Sequence, residues 1–294
     1  MAPPKRRRSI LTLLTDFGTT DYYVGAVRGT VLRCAPRTDV EMVDLSHEIA
    51  VGDVGAASFL LAAAAPAFPD GTVHLAVVDP GVGSERRILA VETARGRFVA
   101  PDNGLLTRIL DGAAGEVGTL RSVTREELFL EAPGQTFHGR DRFAPVAAYL
   151  VEGQALTDLG PEIENPVRLV LPPPRREGAK ITGRVVHVDR FGNLVTDIPA
   201  AWLPSGRPFT VSLGAHTVEL RVDCYREIPG GQAGVLVGSL GTLEISFDGE
   251  SLAERWRIER GETVVLRVSP PNGQEAERED GRDGPRRGSE KELQ

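Results

Sequence analysis

The feature that most constrains the fold is an alternation of strand-like and helix-like segments in the first half of the chain. Strand-like segments lie at 9–16, 40–45 and 72–79, and segments with helical spacing separate them at 21–36 and 53–68. Strands that alternate with helices usually form parallel β-α-β units. The pattern therefore predicts an N-terminal α/β domain with a largely parallel sheet flanked by helices.

The pattern changes after a further predicted helix at 141–153 and a Pro-rich, charged stretch, LPPPRREGAK (171–180). Seven short strand-like segments with Gly and Pro turns follow, at 181–189, 193–198, 209–213, 217–222, 234–239, 242–247 and 263–268. Such a series predicts a C-terminal small β-barrel. The predicted organisation is a disordered N-terminus (1–8), an α/β domain (9–170), a linker (171–180), a β-barrel domain (181–268) and a disordered tail (269–294).

Composition argues against several classes of protein. The net charge of −7 leaves no overall basic character for binding nucleic acid. The apolar run at 57–68 is too short to span a bilayer, and Asp16 interrupts the N-terminal apolar run before it could form a signal peptide. Cys34 and Cys224 lack CxxC spacing, which argues against a zinc site or a disulfide framework and favours a reducing cytoplasm.

The stretch DPGVGSERR (79–87) raises the question of a phosphate-binding loop. Its glycines lie between two strand-like runs, at 73–78 and 88–92, and their spacing is not GxGxxG. A dinucleotide fingerprint requires glycines between a strand and a helix, so the phosphate interpretation is weak. Asp79 and Asp16 instead each end a strand, at the edge where open α/β sheets bind ligands. Two loop-capping aspartates would explain the same pattern equally well.

A second polar stretch, TFHGRDRFAP (136–145), leads into the predicted helix at 141–153. His138 lies in a polar loop, where an imidazole suits proton transfer. Asp141 is better explained as a negative charge at a helix N-terminus. Of the other histidines, three lie within or directly beside strand-like runs and are expected to be packing or surface residues, namely His74, His187 and His216. The sequence leaves His47 undecided.

Two stretches of the predicted barrel could face a ligand. In VDRFGNLVTD (188–197), Asn193 could present its amide to a purine edge, although a hairpin turn at Gly192 explains the same residues. In GSLGTLEISFDGES (238–251), glycines frame a strand and could let its backbone approach a ligand.

Taken together, five motifs resemble the S-adenosyl-L-methionine (SAM) hydrolases that form adenosine, also called SAM hydroxide adenosyltransferases, whose halide-using relatives are fluorinase and chlorinase. They are LLTDFGTTDYYVGAVRG, FPDGTVHLAVVDPGVGSERR, APDNGLL, TFHGRDRFAP and DRFGNLVTDI, in matching order from about residue 9 to about residue 268. The resemblance implies an N-terminal α/β domain, a C-terminal β-barrel and a homotrimer with active sites at the subunit interfaces. It implies SAM as the substrate and no cofactor.

The resemblance also implies roles for single residues. A catalytic triad falls on Asp79, Arg86 and His138, which would organise the nucleophilic water, and Asp16 matches an acid that holds the ribose hydroxyls. Asp189 matches an acid that faces the methionine amino group. The implied adenine pocket consists of Phe191, Asn193, Ser239, Glu244, Phe247 and Gly249.

Two departures from the halide-using relatives favour the hydrolase branch. Leu240 stands where those enzymes carry Arg, which puts methionine carboxylate binding in question, and AVGD (50–53) stands where they carry an adenine-side Trp. Halide attack requires no base, whereas attack by water on the ribose C5′ requires a proton acceptor and an in-line oxygen. The presence of His138 with Asp79 therefore favours hydroxide as the nucleophile.

Two other functions fit the sequence. One is a metal-dependent hydrolase whose centre would draw on Asp16, Asp21, His47, Asp79 and His138. The other is a protein that binds SAM or adenosine without turning it over.

Overall fold

The computed structural model describes residues 7–269, and the chain divides into two compact units between Pro172 and Pro173. The segments predicted to be disordered, 1–8 and 269–294, lie outside the described residues apart from positions 7, 8 and 269. Unit 1 contains β1 (Arg7–Thr15), α1 (Tyr23–Cys34), β2 (Thr38–Ser46), α2 (Val54–Ala64), β3 (Thr72–Val77), β4 (Ile88–Thr93), β5 (Gly96–Pro101), β6 (Val117–Ser122) and α3 (Ala144–Val151).

The sheet of unit 1 is mixed, with strand order β2-β1-β3-β5-β4-β6. Strands β2, β1, β3 and β5 pair in parallel, whereas β4 pairs antiparallel with both β5 and β6. The expectation of a largely parallel sheet is therefore only partly right. The reason is local, because two residues, 94 and 95, join β4 to β5 and a connection that short can only form an antiparallel hairpin.

Helices cover both faces of this sheet. Leu11 and Leu13 of β1 pack in one buried cluster with residues of α1 and α3, and Leu14 packs in another with Ala57 and Leu61 of α2. This division follows from the alternation of side chains along a strand. Helix α2 starts where predicted because Oδ1 of Asp53 accepts a hydrogen bond from the Ala56 N–H at 2.9 Å.

Unit 2 is an antiparallel, barrel-like sheet with strand order β11-β10-β14-β8-β9-β13-β12 and with β7 paired to β8. Its elements are β7 (Arg175–Glu177), β8 (Lys180–Val188), β9 (Leu194–Pro199), β10 (Phe209–Leu213), β11 (His216–Val218), β12 (Ala233–Val237), β13 (Thr242–Phe247), α4 (Leu252–Trp256) and β14 (Thr263–Val268). The Val222 N–H donates to the Val235 carbonyl at 3.0 Å and the Val235 N–H to the Leu220 carbonyl at 2.8 Å, so the chain after β11 meets β12 and nearly closes the sheet.

Each predicted strand of the second half overlaps an observed one, although the strand predicted at 217–222 ends at Val218. Strand β7 lies in the stretch predicted to be a linker. Across residues 7–269, every helix is too short or too polar to pass through a bilayer.

Candidate active site

The carboxyl edge of the mixed sheet brings Asp16 and Asp79 to the same side of unit 1. Strands β1 and β3 are parallel neighbours with Thr15 opposite Val77, and each aspartate follows within two residues of that pair. Beside this edge lies a cavity of about 300 Å³, lined by Asp16, Phe17, Tyr23, Val51, Val77, Asp79, Val82, Thr136, Phe137, His138 and Gly139. The predicted juxtaposition of the two acids is therefore present, and it coincides with a concave site.

The loop from Asp79 to Arg86 folds back on itself and pairs its two ends. Its glycines make this turn possible, since Gly83 has φ +84° and the Ser84 N–H donates to the Gly81 carbonyl at 3.1 Å. Nε of Arg86 donates to Oδ1 and Oδ2 of Asp79 at 2.7 and 2.8 Å, and Nη2 also contacts Oδ2. The glycines thus shape a turn that places a carboxylate against a guanidinium.

Arg86 also contacts His138, which is the N-cap of the short π-helical turn Gly139–Phe143 that leads into α3. Nη2 of Arg86 lies 3.0 Å from Nδ1 of His138. The side chains of Asp79 and Arg86 are 5% and 9% exposed, and His138 is 2% exposed. Asp79, Arg86 and His138 therefore form a continuous buried hydrogen-bonded chain beside the cavity.

Among the three hydrogen-bonded side chains, two nitrogens have no hydrogen-bond partner within residues 7–269, namely Nη1 of Arg86 and Nε2 of His138. A guanidinium keeps all its protons, so the Nη2–H of Arg86 donates and Nδ1 of a neutral His138 accepts. The ring proton is consequently on Nε2, which becomes a donor. A buried donor without a partner costs free energy, so both N–H groups are candidates to donate to a bound acceptor.

The surroundings of His138 keep its ring neutral near pH 7. Burial lowers the pKa of His138 from 6.5, and the positive charges of Arg142 and Arg86 lower it further. The carboxylates of Asp79 and Asp141 act in the opposite direction without outweighing these effects. A neutral ring is the form that can accept the Arg86 hydrogen bond.

The segment that follows β2 positions the Asp16 side chain. Its Oδ2 accepts a hydrogen bond from the Gly52 N–H at 2.8 Å, and Gly52 has φ +75°, a conformation that favours glycine. Gly52 lies in the AVGD segment (50–53), so this segment helps to position the Asp16 carboxylate. A carboxylate has about four acceptor positions, so Asp16 can still bind two hydroxyl groups.

Aromatic rings form another wall of the cavity. Phe17, Tyr23 and Phe137 line it, and their ring centroids are 5.0–6.0 Å apart in tilted or edge-to-face contacts. The motifs predicted no role for these three rings, although all three lie inside them. Aromatic faces attract cations, so this wall suits a positively charged ligand.

In unit 2, the predicted residues Asp189 and Asn193 bind each other inside the turn between β8 and β9. Asp189 accepts from the N–H groups of Phe191 and Asn193 at 2.9 and 2.8 Å and from Nδ2 of Asn193 at 2.9 Å. Oδ1 of Asn193 accepts from the Ser246 hydroxyl at 2.5 Å. The turn is therefore rigid, and Phe191 projects from it with 75% of its surface exposed.

The turn also depends on Gly192, as the hairpin interpretation predicts. Gly192 has φ +84°, and a Cβ there would lie 2.1 Å from Oγ of Ser251. Asn193 is 6% exposed, which makes it part of the turn as well as a predicted ligand residue.

The other predicted residues of unit 2 lie on or around β13. Oε1 of Glu244 accepts from the Tyr225 hydroxyl at 2.6 Å, and burial together with Asp189 raises the pKa of Glu244. Phe247 packs in the barrel core at 8% exposure. Ser239 and Leu240 lie on the exposed connection between β12 and β13, and Gly249, with φ +70°, follows β13.

The histidines outside the triad are mostly structural. His74 is buried and stacks on Phe98. Its Nδ1 is hydrogen-bonded to Oγ1 of Thr12 at 2.8 Å. His216 stacks on Trp256 with centroids 4.2 Å apart. His47 is 4% exposed and contacts Thr15, which adjoins Asp16.

The donor set of the metal-dependent alternative is not assembled. Within the described part of the chain, no three side chains of His, Cys, Asp and Glu are grouped so that they could hold a metal ion. The geometry of unit 1 is instead that of a carboxylate, a guanidinium and an imidazole joined by hydrogen bonds.

Two family models match this chain. Residues 11–160 match the SAM hydroxide adenosyltransferase N-terminal domain, and residues 183–265 match the SAM hydroxide adenosyltransferase C-terminal domain. The first match contains Asp16, Asp79, Arg86 and His138, and the second contains the β8–β9 turn.

Similar proteins agree with these matches. The chain is 37% identical to a (R)-S-adenosyl-L-methionine hydrolase of Salinispora tropica over 259 residues, which cover 86% of this chain and 96% of that protein. It is also 37% identical to one of Thermus thermophilus over 267 residues, covering 86% and 97%. A fluorinase of an Actinoplanes species is 26% identical, with 90% and 99% covered.

Among solved structures, an uncharacterized conserved protein from Thermotoga maritima superposes with a TM-score of 0.79 at 33% identity, covering 87% of this chain and 99% of that one.

Proposed function

The chain belongs to the SAM hydroxide adenosyltransferase family, and we propose that it hydrolyses SAM to adenosine and L-methionine. Its relatives at 36–37% identity over most of the chain are (R)-SAM hydrolases. The observation that carries the proposal is the buried Asp79–Arg86–His138 chain beside the cavity that Asp16 also lines.

The reaction is a displacement at the ribose C5′. A water-derived oxygen forms the new C–O bond, the C–S bond breaks, and its electron pair stays on sulfur, which leaves as the neutral thioether of methionine. Water supplies the oxygen and one hydrogen of the adenosine hydroxyl, and its second proton goes to the solvent when the hydroxide forms. Because an anionic oxygen and a cationic sulfonium neutralise each other, a desolvated pocket lowers the barrier.

We propose that Arg86 and His138 hold the oxygen as hydrogen-bond donors. The free Nη1–H of Arg86 and the Nε2–H of His138 would donate to lone pairs of the nucleophile and favour hydroxide over water. Asp79 would fix the guanidinium through its two hydrogen bonds from Nε. This division of roles differs from the expectation that His138 accepts the proton, since Arg86 already occupies Nδ1.

Asp16 is proposed to bind the ribose hydroxyls with its remaining acceptor positions, and the rings of Phe17, Tyr23 and Phe137 are proposed to face the sulfonium. Asp189 uses three acceptor positions within its own turn and would offer the fourth to the methionine amino group. The exposed Phe191 is proposed to stack on adenine, and the exposed Ser239 is proposed to contact the adenine edge. Asn193, Glu244, Phe247 and Gly249 would support that surface.

We further propose a homotrimer with active sites at subunit interfaces. Apolar side chains are exposed at or beside the cavity, with Val51 90%, Tyr22 65% and Val82 43% exposed. Unit 2 likewise exposes Phe191 and Leu240, at 75% and 46%. Exposed apolar patches of this kind mark interaction surfaces. The two free cysteines, Cys34 and Cys224, are consistent with a reducing cytoplasm as the setting.

The deciding experiment is incubation of the purified protein with SAM in ¹⁸O-labelled water, followed by chromatography and mass spectrometry. We expect adenosine and methionine in equal amounts, with the label in the adenosine 5′-hydroxyl, and no loss of activity with a chelator. Adenine, S-adenosylhomocysteine or 5′-methylthioadenosine as the main product would overturn the proposal.

The same experiment separates the alternatives. Loss of activity with a chelator, restored by a divalent metal, would favour the metal-dependent hydrolase. SAM binding by calorimetry without any product would favour the non-catalytic binding protein.

A further inference from the structure

We infer that His47, through Thr15, is a positioning residue for the loop that presents Asp16 and Phe17 to the cavity. The inference rests on the proposed function, because it concerns the residue proposed to bind the ribose. His47 immediately follows β2, which is the parallel neighbour of β1. The histidine was the one whose purpose the sequence left undecided.

The contacts that hold the loop converge on His47. Nδ1 of His47 lies 2.8 Å from Oγ1 of Thr15, and that oxygen accepts a hydrogen bond from the Phe17 N–H at 3.3 Å. The His47 carbonyl accepts from the Gly18 N–H at 2.8 Å. One residue thus binds the chain just before and just after Asp16.

The other side of the His47 ring faces an ion pair. Its Nε2 lies 3.1 Å from Oδ1 of Asp44, although the pair is not aligned as a hydrogen bond, and Oδ2 of Asp44 accepts from Nη2 of Arg28 at 2.5 Å. The carboxylate favours a proton on Nε2, so Nδ1 accepts from the Thr15 hydroxyl. The Thr15 oxygen is then free to accept from Phe17, which makes the hydrogen-bond directions along the chain consistent.

A strand irregularity places His47 for this contact. The register between β1 and β2 shifts between Leu13 and Leu14, so that Leu13 pairs with Asp44 and Leu14 with Ser46. An irregularity of this kind redirects the side chains that follow it. Asp16 and Phe17 both line the cavity, whereas His47 and Thr15 are 4% and 2% exposed and do not line it.

The chain itself offers a matched control for the Thr15–His47 contact. Oγ1 of Thr12, in the same strand, lies 2.8 Å from Nδ1 of the buried His74, and neither residue lines the cavity. Thr12→Val and Thr15→Val therefore remove the same kind of buried hydrogen bond. Only the second removes it next to Asp16.

The test measures SAM turnover, calorimetric SAM affinity and melting temperature for Thr12→Val, Thr15→Val and Thr15→Ser. We expect both valine variants to melt at lower temperature. Only Thr15→Val should raise KM and weaken SAM affinity, roughly 10-fold, with kcat changed less, and Thr15→Ser should restore the parent KM. A KM for Thr15→Val equal to that of Thr12→Val would overturn the inference.

A second measurement asks whether the effect passes through Asp16. In an Asp16→Ala background, Thr15→Val should weaken SAM affinity no further, because the acid it positions is absent. The same fold-loss in both backgrounds would show that Thr15 acts independently and would overturn the inference.

Histidine variants serve if Thr15→Val does not fold. Asn at position 47 places an amide near the position of Nδ1, and Gln places one near Nε2. His47→Asn should keep SAM affinity near the parent value, and His47→Gln should weaken it. The reverse order would show that the contact of His47 with Asp44 matters and that its contact with Thr15 does not, and it would overturn the inference. The parent protein, measured alongside, tests the proposed function separately, since its failure to form adenosine would leave these affinity differences measurable.

Discussion

Nη2 of Arg86 lies 3.0 Å from Nδ1 of His138, and this contact fixes which ring nitrogen carries the proton. Because the guanidinium can only donate, the neutral ring accepts at Nδ1 and donates at Nε2. Nε2 of His138 and Nη1 of Arg86 are then two buried donors that have no partner within residues 7–269. This arrangement resembles an oxyanion site, except that the proposed occupant is the attacking hydroxide.

Removal of the imidazole should slow the chemical step. We expect His138→Ala to lower turnover by roughly 10²–10⁴-fold, with a much smaller change in SAM affinity, since His138 is proposed to contact the nucleophile. Turnover and calorimetric affinity check this, with His216→Ala as the control because His216 stacks on Trp256 in unit 2. Parent-like turnover of His138→Ala would make His138 a structural residue.

The pH dependence should report the neutral form of His138. Burial and the charges of Arg142 and Arg86 lower the pKa of His138 from 6.5. Protonation would place an N–H of the ring against the donating Arg86, so activity should fall only on the acid side of pH 6.5. The acid limb of kcat/KM should therefore lie below pH 6.5 and should be absent in His138→Asn. A limb at or above pH 6.5 that persists in that variant would contradict this role.

The geometry of the guanidinium should matter as well as its charge. Arg86→Lys keeps the charge, but its single nitrogen cannot occupy the separate positions from which Nε meets Asp79, Nη2 meets His138 and Nη1 is proposed to meet the nucleophile. We expect turnover to fall by roughly 10²-fold. Arg95→Lys, which alters a surface pair with Asp70, is the control and should match the parent. If Arg86→Lys also turns SAM over at the parent rate, the forked geometry of the guanidinium is not required.

Asp16 should act on binding more than on the chemical step. Asp16→Ala removes charged acceptors proposed to bind the ribose hydroxyls, so SAM affinity should fall roughly 10–100-fold with a smaller change in kcat. Asp16→Asn can keep the hydrogen bond from the Gly52 N–H and should lose less. Calorimetry with SAM and with adenosine checks both variants. Unchanged adenosine affinity would rule out the ribose role.

His74 should make the fold less stable in acid. Burial lowers the pKa of His74 from 6.5 to about 4. Below pH 6.5 the unfolded chain therefore binds a proton that the folded chain does not, and stability is lost as pH falls from 6.5 towards 4. This one group should cost about 2 kcal/mol between pH 8 and pH 5.

The measurement for His74 is chemical denaturation at several pH values. His74→Asn keeps an amide near Nδ1 for the Thr12 hydroxyl but cannot titrate, so its stability should depend less on pH between 6.5 and 5. The same slope in the variant and the parent would show that other groups cause the pH dependence.

The sequence by itself determined the parts of the protein that depend on local periodicity. Alternating apolar segments predicted β1, α1, β2, α2 and β3, and the short segments of the second half predicted the barrel strands. The ends of β1 and β3 also placed Asp16 and Asp79 at one edge, because parallel neighbours present their carboxyl ends together. The glycines of DPGVGSERR lie between two strand-like runs, and this position argued against a phosphate-binding loop.

Only the tertiary structure decided the partners of the polar side chains. Arg86 and His138 are 52 positions apart, and no periodicity specifies that a guanidinium nitrogen meets Nδ1 of the ring. In the same way, Asp189 and Asn193 form hydrogen bonds to each other inside their turn. His47, at the end of β2, contacts Thr15 at the end of the neighbouring strand β1. The physical reason is that hydrophobic patterning fixes which face of an element is buried, whereas hydrogen bonds between distant side chains depend on the register and packing that bring their atoms within 3 Å.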